Sequence, residues 1–351
     1  MSEQDLIDAI LRHALELQRV AEYEQSKAEV ILRELEQDLR IILARGDLTH
    51  IAQREVNAII KEAQTAIAEK YINLAGVVDV DAVIEHVADR TVNLISEQYG
   101  YKMQSPLVDV ARARFDVFII DKNRTMAQLW EYVPRTAQNA VKSLIDYGLK
   151  NGRTNEQIIR SIMGDYSRAR REYVGGVLPW GRDWTRKLVH SSVMTAANAA
   201  RLETYRKNTK AAKGVQWMAT LDSHTCRTCG ALDGSEWDFD GKPLNGTKML
   251  FQAPPAHINC RCVMTPVLKP VLDDIFGIKG LDEKLKPTVR ASSQGPVKMQ
   301  SFGQFLKRQS PEFIEDVLGA KRAELYKQGK ITLTDLVTRA GRPKTLAEIS
   351  R

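Results

Sequence analysis

All four cysteines of this 351-residue chain fall between positions 226 and 262. Cys226 and Cys229 form a C-x2-C-G unit, and Cys260 and Cys262 form a C-x-C unit with His257 three residues ahead. Two close pairs of thiolates on two turns are how a chain builds a tetrahedral zinc site. Each pair is fixed locally, so only one long-range closure has to be made. Gly230, right after the second cysteine, suits a tight knuckle in which backbone N–H groups point at sulfur. The H-x2-C-x-C run offers one donor more than a closed four-coordinate site needs. The first expectation is a structural zinc ion on the four cysteines, with His257 either orienting a thiolate from outside or replacing Cys260. A disulfide framework, free thiols and a redox pair are competing uses of the same residues. Disulfides suit a secreted domain, but the stretch 1–11 is acidic and amphipathic and does not read as a signal peptide. A redox C-x2-C expects a βαβ setting, and none surrounds Cys226.

Asp222, His224, Asp233 and His257 lie close to the cysteines and could be arranged for acid–base chemistry. A catalytic zinc, however, keeps an open position, whereas four cysteines close the site. Asp222 and Asp233 read equally well as turn residues whose carboxylates accept backbone N–H groups. No Gly-rich phosphate loop or nucleophile elbow is visible, so no enzyme is expected.

The elements that must position these residues are mainly helical, with a small α+β subdomain at 214–268 around the cysteines. Residues 4–45 read as one helix, on whose second half Ile31, Leu35, Leu39 and Ile42 recur at helical spacing. A second helix carries Ile51, Val56, Ile60, Ala63, Ile67 and Tyr71, giving an αα-hairpin, and 82–97 reads as a third. Ala140 to Leu149 is another stripe, and Thr154 with Gln157 is a capping box. Tyr173–Gly181, with three glycines and a proline, reads as a loop before a helix from about Asp183 to Arg206. Thr195, Ala196, Ala197, Ala199 and Ala200 give that helix a small-residue face. At Gly214 the period changes to two, with Val215, Trp217, Ala219 and Leu221 on one side of a strand. Asp233-Gly234 reads as a hairpin turn, Pro254-Pro255 as extended chain, and Cys262–Thr265 as a returning strand. The resulting divisions are 1–100, 101–285, a linker at 286–300 and a tail of short helices at 301–351. Within the tail, Ser301/Gln304, Thr332/Asp335, Thr345/Glu348 and Ser310-Pro311 are helix starts, and Gly319 and Gly341 are stops.

Two or three domains are expected at this length. No apolar run is long enough to cross a membrane, so no membrane partner is expected. Net charge is +7, yet residues 1–100 hold 10 Lys+Arg against 19 Asp+Glu, leaving the excess of cations to the rest. An acidic head on a basic body implies two kinds of partner surface. Arg168, Arg170, Arg171, Arg182, Arg186 and Lys187 form one cationic concentration; Arg206, Lys207, Lys210 and Lys213 form another. Either would serve for salt-dependent, sequence-independent contact with nucleic acid phosphates.

The stretch Q-W-M-A-T-L-D-S-H-T-C-R-T-C-G-A-L-D-G, followed by P-P-A-H-I-N-C-R-C, resembles the phage Mu F-like head morphogenesis family. The residues that carry the resemblance are Trp217, Asp222, Thr225, Cys226, Cys229, Leu232, Asp233, Gly234, Pro255, His257, Cys260, Arg261 and Cys262. Thr195, Asn198 and Arg201 are similar to the preceding helix of such proteins. His190-Ser191-Ser192 departs from the family's usual Arg-Thr-Glu. The tail is similar through Phe305-Leu306, Gln309, Leu318-Gly319, Arg322 and Gly329-x-Ile331. The resemblance covers about 140–350 and leaves 1–100 unmatched. It implies a virion component present in few copies. Such a protein would lie inside the capsid near the portal, be assembled in the host cytoplasm, and take part in head assembly, DNA packaging or ejection. It also implies a distant relation to ADP-ribosyltransferase-like folds. Two other readings stay beside it: a zinc-dependent nuclease or ADP-ribosyltransferase-like enzyme, and a zinc-ribbon nucleic-acid-binding adaptor unrelated to phage.

Overall fold

The computed structural model describes residues 3–99, 102–120, 124–169, 172–269, 289–292, 295–298 and 300–349. The mainly helical expectation, with small antiparallel sheets around a cysteine cluster, is what the chain adopts. Its contacts divide it into two compact units that interleave along the sequence. One comprises Met1–Gln18, Val80–Asp121 and Met194–Arg351; the other comprises Arg19–Asp79 and Lys122–Val193. Residues 1–100 therefore contribute to both.

Helices α1 (Glu3–Ala44), α2 (Gln53–Ala75) and α3 (Val80–Tyr99) form where the periodicity places them. Helices α4 (Val108–Val117), α5 (Met126–Lys150) and α6 (Asn155–Met163) follow. In the second unit α2 packs on α5; Ile60, Ala63 and Ile67 of the one and Val133, Ala137 and Val141 of the other are all buried. Gln64 and Gln138 exchange side-chain to carbonyl bonds across that seam. Thr154 and Gln157 cap α6 reciprocally, as their spacing predicts. A short hairpin, β1 (Asp165–Ser167) and β2 (Glu172–Val174), interrupts the helical run.

Helix α7 (Val177–Lys207) starts about six residues before the expected Asp183, so most of the Tyr173–Gly181 loop is helix. Pro179 sits in the first turn, where its missing N–H has no intrahelical partner to lose. Gly181 is there for close approach, because a Cβ would lie 2.8 Å from the Tyr71 hydroxyl. In the first unit the expected small-residue face, Thr195 to Ala200, is wholly buried.

Strand β3 (Ala212–Met218) is central in an antiparallel sheet ordered β4–β3–β5, with β4 at Glu236–Asp238 and β5 at Val263–Leu268. Gly214 lets β4 cross so closely that a Cβ would overlap the Trp237 carbonyl. Between β3 and β4 lies a six-residue helix, α8 (Arg227–Leu232). The Asp233-Gly234 turn therefore joins a helix to a strand and is not a hairpin turn. The Pro254–Pro255 peptide is cis, in place of the extended run expected there.

Residues 289–292 and 295–298 of the expected linker pair as a hairpin, β6 and β7; 286–288, 293–294 and 299 lie outside the described residues. Gly295-Pro296 reads as a breaker, but proline is tolerated in a two-stranded ribbon, which consists of edges. The tail forms α9 (Phe302–Leu306), α10 (Pro311–Leu318), α11 (Ala320–Lys327), a 3-10 turn at Thr334–Leu336, and α12 (Leu346–Ile349). Gly319 ends α10 at φ 81° as expected. Gly341 instead closes a turn from Thr338 that brings Val337 opposite Pro343. The tail shares one core with the cysteines, in which Phe302, Phe305, Leu306, Leu318 and Leu336 pack with Trp217, Leu232, Cys229, Cys260 and Cys262.

Candidate metal centre

The C-x2-C spacing is the N-terminus of a helix. Cys226 is the N-cap of α8, and its Sγ accepts the Cys229 N–H at 3.4 Å, so a backbone group does point at sulfur. Gly230 has a different reason from the one its position in the knuckle implies. Its backbone is ordinary, but a Cβ there would lie 2.6 Å from the Phe302 ring. The glycine makes room for the tail.

His257 and Cys260 come from the loop before β5. The His257 Nε2 lies 3.2 Å from the Sγ of Cys226 and 3.2 Å from that of Cys229. Cys229 Sγ lies 3.7 Å from Cys260 Sγ. Two triads thus share Cys229: Cys226, Cys229 and His257, and Cys229, Cys260 and Cys262, each with donor atoms within 4.8 Å of one another. The Cys/His groups are positioned to hold a metal ion. A sulfur–sulfur edge of 3.7 Å matches the roughly 3.8 Å of a tetrahedron with metal–sulfur bonds of about 2.3 Å.

The electrostatics agree with a cluster built for charge. The Cys226 thiol is pulled down to about 4, chiefly by its hydrogen bond with Cys229, against burial, and further by His257. Burial disfavours a charged His257, but hydrogen bonds to Cys226 and Cys260 outweigh it and raise the ring to about 11. Burial pushes the Cys262 thiol up. The Cys260 thiol is lowered despite burial, by bonds from Cys229, Cys262 and His257.

The two carboxylates near the cluster are fully committed. Asp222 is buried and accepts from the His224 N–H at 2.9 Å, from the Thr225 hydroxyl, and from both Nη atoms of Arg261. Arg261 sits between Cys260 and Cys262, so this ion pair braces the C-x-C turn. Asp233 accepts from the Ala219 N–H at 2.9 Å, from the Phe302 N–H at 2.7 Å, and from both Nη atoms of Arg290. Gly234, at φ 76°, turns the chain so that its N–H reaches the Trp217 carbonyl, and the Trp217 side chain is fully buried beneath. Asn198 of α7 donates to the Cys262 carbonyl at 3.2 Å and accepts from the Met264 N–H at 3.0 Å, fixing the start of β5. His224 is exposed. Arg290 has no sequence signal, as a lone arginine in a stretch that reads as linker. In the departing triplet, Ser192 accepts from Trp130 at 3.2 Å.

The cationic groups divide. In the second unit Arg182 and Arg186 face α1, with Arg182 3.0 Å from Glu36 and Arg186 2.7 Å from Glu29. Lys187 pairs with Asp183, and Arg168 is exposed at the β1–β2 turn. Arg170 and Arg171 lie outside the described residues. The acidic head is therefore partly spent on the basic residues themselves, and not all of either charge is left for partners. In the first unit Arg206 donates to the Phe239 carbonyl, while Lys207, Lys210 and Lys213 are exposed.

Residues 139–265 match the family described as Phage Mu protein F like protein, and the match ends just past Cys262. This stretch is similar to the phage Mu F-like family. An alignment of 171 positions that covers 43% of the chain is 26% identical to the NAD(+)–arginine ADP-ribosyltransferase EFV of Enterococcus faecalis; the chain spans 30% of that protein's length. No solved structure matches the chain. No helix among the described residues is long and apolar enough to cross a membrane.

Proposed function

We propose that the chain is a minor head protein of a tailed phage, a structural component of the capsid interior near the portal that takes part in head assembly and DNA packaging or ejection. The observation that carries this is the Mu F-like match over 139–265, a stretch that contains the residues of the cysteine cluster. In this reading the cluster holds a structural zinc ion, which joins α8, the His257 loop, β5 and the tail. A site of this kind contributes on the order of 10 kcal/mol to a small fold. The partners are the portal, other head proteins and packaged DNA. DNA would be met without sequence preference through exposed lysines such as Lys207, Lys210 and Lys213.

An enzymatic reading has one observation in its favour, the resemblance to an ADP-ribosyltransferase. Against it, Asp222 and Asp233 spend their oxygens on backbone and arginine donors. Quantifying the protein in purified virions and its zinc by elemental analysis tests the proposal. The expected result is a few copies per particle, each with one zinc. A protein absent from virions sinks the head role. An Asp222→Ala variant that folds, keeps zinc and enters heads, yet blocks infection, favours the enzyme.

A further inference from the structure

Building on the metal reading above, we infer that the ion is held by Cys226, Cys229, His257 and Cys260, with Cys262 outside the coordination sphere. The four-cysteine set expected from spacing does not describe the geometry as well. A histidine that only orients a thiolate touches one sulfur from the side away from the ion. His257 Nε2 instead lies 3.2 Å from two sulfurs of the same knuckle, on the face between them. A tetrahedron with metal–nitrogen bonds of about 2.0–2.1 Å and metal–sulfur bonds of about 2.3 Å has nitrogen–sulfur edges of about 3.5 Å. The other ring nitrogen, Nδ1, lies 2.8 Å from the Ile258 carbonyl. A carbonyl only accepts, so Nδ1 carries a proton and Nε2 is the ligating atom, the arrangement of metal-bound histidines.

Backbone anchoring chooses between the last two cysteines. Cys260 belongs to the same loop turn as His257, through its N–H to the His257 carbonyl at 3.2 Å, and its sulfur is 3.7 Å from Cys229. Cys262 opens β5, and Asn198 pins its carbonyl and the Met264 N–H on either side. Cys262 is thus tied to the strand, with its sulfur within 4.8 Å of those of Cys229 and Cys260. Three thiolates and a neutral imidazole leave a divalent ion at a net charge of −1 in place of −2. That is the smaller burden in a buried site whose neighbouring guanidinium, Arg261, is already paired with Asp222.

X-ray absorption on the zinc-loaded full chain tests the ligand set without mutation. Three sulfurs and one nitrogen are expected, and four sulfurs would overturn the assignment while leaving a structural metal in place. Protein that takes up no stoichiometric zinc would overturn the metal reading itself. Competition titrations with Co2+ supply the second measure. Cys262→Ser should keep affinity within about tenfold and an unchanged thiolate-to-cobalt absorption band, while His257→Ala and Cys260→Ser should each lose more than about 100-fold. The reverse order of effects for Cys262 and His257 also overturns the assignment.

Discussion

A carboxylate that already accepts four hydrogen bonds has no lone pair left for a substrate. Asp233 is in that position, and with Arg290 it forms an ion pair whose side chains are only 1% and 3% exposed. Removing one charge of such a pair strands the other in the core. We expect Asp233→Asn to destabilise the first unit by about 3–5 kcal/mol in urea titrations, through Arg290. A loss below about 1 kcal/mol would show that the pair is not the staple it resembles. The sulfurs give a second test at this scale. Cys226 is half-buried with its thiol drawn down to about 4, whereas Cys229, Cys260 and Cys262 are buried. In protein stripped of metal, iodoacetamide should modify Cys226 first. Its rate should stay flat from about pH 5.5 to 8, because a thiol with a depressed pKa is already ionised there. A free thiol slows about tenfold per unit as pH falls below its ordinary range. Peptide mapping by mass spectrometry reads both.

Local signals were strong enough to read most helices. Thr154 with Gln157 and Ser301 with Gln304 are reciprocal caps between near neighbours, so a sequence window contains the whole interaction. The start of α7 was not legible, because Gly181 answers to Tyr71, more than a hundred residues away. The β6–β7 hairpin was hidden for the same reason, its anchor being Arg290 on Asp233. The cysteine cluster was legible as a set. The choice among its five donors was not, since it rests on distances and on which loop each donor shares. Gly230 shows how an element can mislead. It reads as a knuckle glycine but is a seat for Phe302. Gly230→Ala should cost about 1–3 kcal/mol by overpacking, with metal content unchanged; Phe302→Leu in the same chain should recover part of it. A loss of metal in the single variant would return Gly230 to the knuckle. Chelation should in turn loosen α9 to α11, seen as new protease cleavage within 301–349, because ligands and tail share one core.

At the scale of the whole chain, the charge asymmetry between residues 1–100 and the rest is partly internal bookkeeping. Glu29 and Glu36 neutralise Arg182 and Arg186, so the first cationic concentration is a weak candidate for DNA. Binding to duplex DNA should instead fall when Lys207, Lys210 and Lys213 are changed to Gln, with the salt slope reduced by up to about 2.7. Arg186→Gln should leave both nearly unchanged. Filter binding across ionic strength separates the two, and equal losses would mean that the ion-paired arginines are available after all. Removing residues 1–75 is not a neutral truncation, since it strips α2 from the buried face of α5. The shared core of cysteines and tail also sets an order of events during synthesis. Leu336 and Phe302 complete the wall around cysteines made much earlier, the last of them Cys262. At about 5–20 residues per second, some 4–15 s pass between Cys262 and the end of that wall leaving the ribosome. For that interval four thiols are together but uncovered. If the cluster holds the ion proposed for it, the chain must then either capture that ion while still being made or keep its sulfurs from oxidising until the last helices arrive.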